Sequence, residues 1–436
     1  MKSLLGVSRA VLWIARIVTI CQLAVLSGCA EQSSGSLDSL ADSFVHIGLR
    51  FQNHDRANYL YTGPEQWRQE AKEDPILLID LLKQLDELTA QLAAINVEQP
   101  ELNRRQRDLI ARVQAMTTRG EILLGKSPSS FDEETTLIFG VTAPHRSEQH
   151  FSELTAILDQ LFPGEGELAE RLEAFRDQFV IPRDRLEVVM GAAIAECRRR
   201  TLEWVSLPDN EAVTLNITRD KPWVGFTEFR GEPQSIVHIN QDVPVHIERA
   251  VELGCHEGYP GHHVHATLLE QNLVKQSHWV EYQFIQLIGP LAVVAEGAAS
   301  YAPELVFTRT EQMEFERDVL FPLAGLDSNH LALYYNYIDL IRALNFARNE
   351  VARQYLYGGM PREQAVEWLM KYGLETRGTA EQRLNFIEVL RGYVITYNFG
   401  TELVSAYIEE ESTRSSRWQR FIEMLATPLS PGDIER

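Results

Sequence analysis

One eight-residue segment with a proline inside it constrains the fold of this 436-residue chain more than any other feature. From His256 to His263 it reads His-Glu-Gly-Tyr-Pro-Gly-His-His. A histidine followed by a glutamate, with further histidines one to two turns later, is how zinc hydrolases build a metal site and a general base on one helix. Because proline breaks a regular helix, the segment predicts a helix that is interrupted within the motif.

The histidine spacing also requires this interruption. The residue four positions after His256 is Pro260, so the common His-Glu-x-x-His arrangement is excluded. His262 follows His256 by six residues, which on a regular helix leaves the two side chains about 120° apart. A bulge at Pro260-Gly261 would bring them together. His263 regains the same face but lies about 10 Å further along the helix axis, so we favour His262 as the ligand and keep His263 as the alternative.

A catalytic zinc site needs a third protein ligand and one open position for water. Glu296 is the candidate, because it lies 39 residues after Glu257 in a second helical stretch. A glutamate on a helix that crosses the first would complete the site. The sequence therefore predicts one zinc ion per chain, bound by His256, His262 and Glu296.

At this point the sequence resembles a known family. His-Glu-x-x-Pro-Gly-His-His followed by Glu-Gly-x-Ala-x-Tyr is similar to the bacterial "domain of unknown function 885" family, which groups with the zincin metallopeptidases. The resemblance implies a mostly helical, zincin- or gluzincin-like fold with an edge strand before the active-site helix. The motif residues that it carries over are His256, Glu257, His262 and Glu296, with Tyr301 nearby.

The resemblance continues toward the C-terminus with shorter matches. The segments 361–365 and 397–400 match short family blocks, and the likeness extends from about residue 180 onward. Two departures affect the expected shape of the pocket. Ala298 stands where a large aromatic residue is common, and the segment 391–393 replaces a Pro-Gly-Gln.

The charge and the N-terminus indicate where the protein acts. A formal net charge of −21 argues against nucleic-acid partners and against adsorption to anionic lipid. Residues 1–28 form a basic and then apolar segment, and residues 26–29 across its end read Leu-Ser-Gly-Cys. This tetrapeptide resembles a bacterial lipobox, which implies a lipid on Cys29 as the only membrane attachment and an outer-membrane location facing the periplasm. A plain secretory signal and a membrane anchor are the alternatives.

Periodicity predicts a mainly α-helical protein with a small antiparallel sheet, an α+β class. Residues 29–43 read as a tether, 44–206 as an N-terminal helical region and 207–436 as the catalytic region. Within the latter, a sheet is expected over 212–240, with strands at 212–218, 223–230 and 235–240, the active-site helix over 244–263 and a further helix over 362–372. In the N-terminal region, helices at 75–94 and 100–124 are expected to form an antiparallel hairpin. Besides Cys29, only Cys197 and Cys255 remain after residue 28. We expect two buried free thiols, with a single bridge between them as the alternative.

The favoured function is a zinc-dependent peptidase with Glu257 as the general base. A tyrosine would stabilise the oxyanion, with Tyr397 first and Tyr393 second. The strand at 235–240 would pair with an extended peptide substrate by strand addition. The alternatives are a non-catalytic envelope lipoprotein that binds a partner, and a metal hydrolase of a non-peptide amide or ester. The protein partners are not indicated by the sequence.

Overall fold

The computed structural model describes residues 36–55, 59–221 and 223–435, and within them the chain is mainly helical. The predicted signal segment and Cys29 lie outside the described residues. None of the described helices is both long enough and apolar enough to cross a membrane.

The first half of the described chain is mostly helical. Helices α1 to α8 comprise residues 36–51, Glu65–Glu73, Leu78–Ala94, Pro100–Leu123, Phe131–Phe139, Glu148–Leu161, Leu168–Arg176 and Leu186–Thr201. The sequence predicted the hairpin of α3 and α4 from apolar residues at helical spacing, and α3 packs against α4. In α3 the leucines at 81, 82, 85, 88 and 92 are buried, whereas Leu77, directly before the helix, is exposed. Pro100 occupies the first turn of α4, where its missing N–H costs nothing.

A three-stranded sheet follows α8. Its strands are β2 (Ala212–Thr218), β3 (Gly225–Phe229) and β4 (Gln234–Asn240), arranged in the order β2-β4-β3. β3 pairs with β4 antiparallel, but β2 pairs with β4 parallel, so the expectation of a purely antiparallel sheet was wrong. The reason is that β4 inserts between the two earlier strands, which sequence order does not reveal. A separate ribbon pairs β1 (Tyr59–Tyr61) with β5 (Phe284–Gln286).

The second half of the chain builds the site and its surroundings. Helices α9 to α20 comprise Ile247–Leu253, His262–Leu269, Pro290–Val306, Arg309–Phe315, Phe321–Ala324, Leu331–Leu344, Ala347–Leu356, Arg362–Tyr372, Arg377–Leu390, Ile395–Glu409, Arg414–Ala426 and Pro431–Ile434. π-helical segments at Gly254–Gly258, Glu270–Gln276 and Glu316–Leu320 interrupt or extend them, and short 3₁₀ turns lie at Asp177–Phe179, Val280–Gln283 and Arg391–Val394.

Two hydrophobic clusters organise the packing. The larger one runs from α5 to the C-terminal helices and surrounds α11. The smaller one joins α1, α3 and α4 to the segment 269–284. The larger cluster includes residues on both sides of position 206, where the sequence placed a boundary between two regions. Residues 36–43, assigned to a tether, are instead helical, and Leu37 and Ala41 are buried in the smaller cluster.

A disulfide joins Cys197 on α8 to Cys255 in the π-helical segment, with their Cα atoms 5.5 Å apart. The expectation of two free thiols was therefore wrong. Two cysteines 58 residues apart give no pairing signal by themselves, and here the packing of α8 against the π-helical segment brings them into range.

Candidate metal centre

The predicted break in the helix is present, and it separates the two histidines. His256 and Glu257 lie in the π-helical segment that follows α9, whereas His262 is the first residue of α10. Between them the Tyr259–Pro260 peptide is cis, and Gly261 turns the chain back. A Cβ atom on Gly261 would lie 1.8 Å from the carbonyl oxygen of His256, so only glycine fits this position.

Glu296 reaches the two histidines from α11. The helix can approach closely because it crosses α18 at a glycine contact. A Cβ atom on Gly297 would lie 2.3 Å from the carbonyl oxygen of Gly400. This contact fixes α11 against α18, and α18 and the turn before it carry both predicted tyrosines. The Tyr-Asn-Phe-Gly block noted in the sequence thus contributes the glycine at this crossing.

The three predicted ligands converge on one point. Their ligand atoms all lie within 4.8 Å of one another. Oε2 of Glu296 is 3.3 Å from Nε2 of His256 and 3.6 Å from Nε2 of His262. Donors 2.0–2.2 Å from a tetrahedral zinc ion lie roughly 3.3–3.6 Å apart, so the spacing fits such an ion. Oε2 of Glu296 is buried and accepts no hydrogen bond within the described part of the chain.

The electrostatics of the cluster suit a cation. Burial opposes the ionisation of Glu296, but the imidazoles of His262 and His256 hold its pKa well below the usual range. Burial also lowers the pKa of His262, and the Glu296 carboxylate outweighs this effect and raises the pKa to about 9. Nδ1 of His256 lies 3.4 Å from the Ser300 hydroxyl on α11, which leaves Nε2 facing the cluster.

Glu257 lies beside the cluster and is held by the sheet. Its side chain is 5% exposed. The hydroxyl of Thr227 on β3 lies 2.7 Å from Oε2 of Glu257 and 2.8 Å from its backbone carbonyl oxygen, and can donate to either. The charge of Glu257 acts on both His262 and Tyr397. The carboxylate is therefore near the cluster without being one of its three converging donors.

The two predicted tyrosines take different places. The Tyr393 hydroxyl donates a 2.7 Å hydrogen bond to Oε1 of Glu296. Burial and the Glu296 charge raise the pKa of Tyr393 well above its ordinary value. Tyr397 packs its ring 5.6 Å from that of Tyr393, and 45% of Tyr397 is exposed. Tyr397 is therefore the more exposed of the two residues, although burial still raises the pKa of its hydroxyl well above the ordinary value, whereas the Tyr393 hydroxyl is occupied by Glu296.

His263, the alternative ligand, points away from the cluster. It is fully buried, with Nδ1 2.8 Å from the Ser235 hydroxyl and Nε2 3.1 Å from Oε2 of Glu211. The Tyr259 hydroxyl donates to the same Glu211 oxygen. This network fixes the start of α10 against the sheet. Tyr301 is also buried, and its ring packs near Phe421 rather than in the cluster.

Sequence reasoning missed Glu134, which supports the turn before α18. This fully buried carboxylate on α5 accepts a hydrogen bond of 3.1 Å from the backbone N–H of Gly392 and one of 2.8 Å from Nε of Arg391. Arg391 has a positive φ of 51°. The clamp holds Tyr393 opposite Glu296. It joins residues more than 250 positions apart, so nothing in the sequence pattern indicated it.

Comparisons with known proteins give a likeness of fold. No protein-family model matches the sequence, and no curated protein matches it. Among solved structures, a candidate lipoprotein from Colwellia psychrerythraea superposes with a TM-score of 0.50 at 16% identity, covering 81% of this chain. This chain spans 65% of the length of that protein. The likeness shows a shared fold, at an identity too low to carry a function.

Two further solved structures superpose less closely. A candidate lipoprotein of unknown function from Shewanella oneidensis gives a TM-score of 0.36 at 14% identity, covering 81% of this chain and 74% of that one. The M32 carboxypeptidase from Deinococcus radiodurans R1 gives a TM-score of 0.49 at 13% identity, covering 93% of this chain and 94% of that one.

Proposed function

We propose that this protein is a zinc-dependent hydrolase that cleaves peptide bonds. The observation that carries the proposal is the convergence of His256, His262 and Glu296 at zinc-ligand spacing, with Glu257 beside them. Two imidazoles and one carboxylate are a donor set found in catalytic zinc sites, which keep one position open. A zinc ion bound there would supply Lewis-acid activation of water and of the substrate carbonyl.

In this proposal Glu257 is the general base. It accepts a proton from the attacking water and passes it to the leaving amine nitrogen. The hydrogen bond from Thr227 orients its carboxylate, and the low exposure keeps bulk water away. A binding module would have no use for an oriented carboxylate next to the cluster, and this favours an enzyme over a non-catalytic lipoprotein.

Tyr397 is the better of the two candidates for stabilising the oxyanion. Its side chain is partly exposed, its hydroxyl is not bound to Glu296, and the charges of Glu296 and Glu257 both act on it. A hydroxyl that donates to the developing negative charge lowers the barrier to attack. Tyr393 would instead orient Glu296 through the hydrogen bond that it already makes.

The substrate strand would pair with β3 rather than with the strand at 235–240. That strand, β4, lies in the centre of the sheet with partners on both sides, so its predicted role was wrong. β3 is an edge strand, and its Thr227 contacts Glu257 directly. An extended peptide added to β3 would therefore lie alongside the general base.

We further propose that the protein is lipid-anchored through Cys29 in the cell envelope and faces the periplasm. The lipobox-like tetrapeptide supports this location. The fold shared with a candidate lipoprotein of Colwellia psychrerythraea is consistent with it. We also propose, from the motif resemblance described above, that the chain is a member of the bacterial domain of unknown function 885 family.

The decisive experiment pairs metal analysis with peptide turnover. The purified protein should carry about one zinc per chain, and Glu257→Gln should keep that zinc while losing peptide hydrolysis. His256→Ala should lose most of the zinc. His145→Gln is the matched control, because it changes an exposed histidine outside the cluster and should keep the metal. Hydrolysis by Glu257→Gln at the wild-type rate would refute the assignment of the general base.

A further inference from the structure

A pair of arginines shares a single carboxylate next to the proposed active site. Arg348 on α15 places Nε and Nη2 3.0 and 2.8 Å from Oε1 of Glu375. Arg383 on α17 reaches the same oxygen only at 3.6 Å. Nε of Arg383 is buried and has no hydrogen-bond partner within the described part of the chain. Arg348 thus occupies Oε1 of Glu375, Oε2 accepts no hydrogen bond within the described part of the chain, and Arg383 pairs with Glu375 only loosely.

The cluster of Arg348, Arg383 and Glu375 carries a net positive charge, which is unusual in this acidic chain. Two guanidinium groups and one carboxylate give the cluster a charge of about +1, in a protein whose formal net charge is −21. Burial and the nearby Arg348 lower the pKa of Arg383 only to about 10, so it stays charged at neutral pH. Its side chain is 29% exposed, so an anion from solution could reach it.

Ring contacts connect Arg383 to the metal cluster. The Arg383 guanidinium lies 6.0 Å from the ring centroid of Phe386, and that ring is 6.3 Å from the ring of Tyr393. Tyr393 in turn contacts Glu296. The charges of Arg383 and Glu296 both act on the Tyr397 hydroxyl, so both groups lie near it.

We propose that Arg383 binds the free C-terminal carboxylate of the substrate, so that the enzyme is a carboxypeptidase. This inference rests on the function proposed above. A guanidinium matches a carboxylate in shape, and their charge-assisted hydrogen bonds are among the stronger ones in proteins. Water would attack the last peptide carbonyl, the C–N bond would break, and the departing amino acid would take the proton on its amine.

The alternative role of Arg383 is purely structural, as a second partner for Glu375. The distances argue against it. Arg348 already makes two hydrogen bonds to Oε1, whereas Arg383 approaches that oxygen only at 3.6 Å. Burial and repulsion from Arg348 together outweigh the attraction of Glu375 for Arg383, since the pKa of Arg383 is lowered. A substrate carboxylate would supply the missing acceptor.

The test uses two peptides that differ only at the C-terminus, one a free acid and one an amide. The zinc-loaded wild-type enzyme should cleave the acid with a kcat/KM roughly 10- to 100-fold higher than the amide. Arg383→Gln should lose that preference, mainly because its KM for the acid rises. Its kcat/KM for the amide should stay at the wild-type value. Arg383→Lys should recover part of the preference. Arg377→Gln, on the same helix in an exposed pair with Glu363, is the matched control and should behave as wild type.

The outcomes separate this inference from the proposed function. Equal cleavage of acid and amide by the wild type would overturn the carboxylate site and leave the hydrolase intact. An unchanged acid preference in Arg383→Gln would do the same. Cleavage of neither peptide would refute the proposed hydrolase. Calorimetry on the same wild-type protein would then still decide the site, because tighter binding of the acid would support it and equal binding would overturn it.

Discussion

The hydroxyl of Tyr393 donates a 2.7 Å hydrogen bond to Oε1 of Glu296, the oxygen opposite the one that faces the two imidazoles. Each oxygen of this carboxylate therefore has a separate partner. A tyrosine in this position fixes the rotation of the carboxylate, so that Oε2 stays aimed at the cluster. Such indirect contacts are known to tune a site as much as the ligands themselves.

Tyr393→Phe should therefore weaken zinc binding. Removing the hydroxyl frees Glu296 to rotate, and the loss should be about 10- to 100-fold in metal affinity. Competition against a chelator of known affinity measures it. Tyr397→Phe is the matched control, since it should keep the metal affinity and lower kcat instead. If both variants held zinc as tightly as wild type, Tyr393 would have no orienting role.

The crossing of α11 and α18 predicts a second effect. Gly297→Ala should destabilise the protein by about 1–3 kcal/mol and also weaken zinc binding. The reason is that the added methyl would lie 2.3 Å from the Gly400 carbonyl oxygen and push Glu296 away from the histidines. Chemical denaturation and zinc titration measure the two effects.

Gly191→Ala is the control for this substitution. Gly191 lies in α8, and a methyl there would meet no other atom within 4 Å. The substitution should stabilise the protein by about 0.4–1 kcal/mol and leave zinc binding unchanged. A Gly297→Ala variant as stable as Gly191→Ala would show that the helices tolerate a wider separation.

The sequence predicted the elements well where periodicity was strong and local. The helix predicted at Arg362–Tyr372 matches α16, and the three predicted strands match β2, β3 and β4 within two residues at each end. The ligand set could also be inferred, because the break at Pro260-Gly261 and the spacing of His256 and His262 restrict the possible geometries.

What the sequence could not show depends on contacts between distant segments. The insertion of β4 between β2 and β3 follows from tertiary packing rather than from strand periodicity. The pairing of Cys197 with Cys255 and the clamp of Glu134 on Gly392 depend on how whole helices dock. In the sequence, nothing distinguishes Arg383 from other charged residues on predicted helices, because its neighbour Arg348 comes from a separate helix.

Buried His246 predicts a pH dependence of stability. Burial, together with Arg176 and Arg249, lowers the pKa of His246 to about 3, against an ordinary value of 6.5. Below pH 6.5 the unfolded chain therefore binds a proton at this residue that the folded protein does not. Its contribution should reduce the free energy of unfolding as the pH falls from 6.5 toward 3, by up to about 1.4 kcal/mol per pH unit.

Replacing this histidine isolates its contribution to the pH dependence of the free energy of unfolding. His246→Phe keeps a ring in the site and removes the titration, so its free energy of unfolding should fall less steeply than that of wild type over this pH window. Urea denaturation at half-unit intervals of pH measures both slopes. Parallel slopes would mean that His246 takes up a proton as readily in the folded protein as in the unfolded chain, which would contradict the lowered pKa.

The disulfide beside the metal cluster gives the last prediction. Cys255 directly precedes His256, and its bond to Cys197 fastens the π-helical segment to α8. Closing a loop of this length restricts the unfolded chain, so reduction should cost about 2–5 kcal/mol of stability. Removing the link should also loosen His256 and weaken zinc binding.

The comparison is between wild type and the double variant Cys197→Ala/Cys255→Ala, each melted with and without a reductant that does not bind zinc. The reductant should lower the Tm of wild type toward that of the variant and leave the variant unchanged. A wild-type Tm insensitive to the reductant, with two thiols shown to be free by titration under denaturing conditions, would contradict the bond. Two thiols released only after reduction would confirm that the π-helical segment is covalently tied to α8.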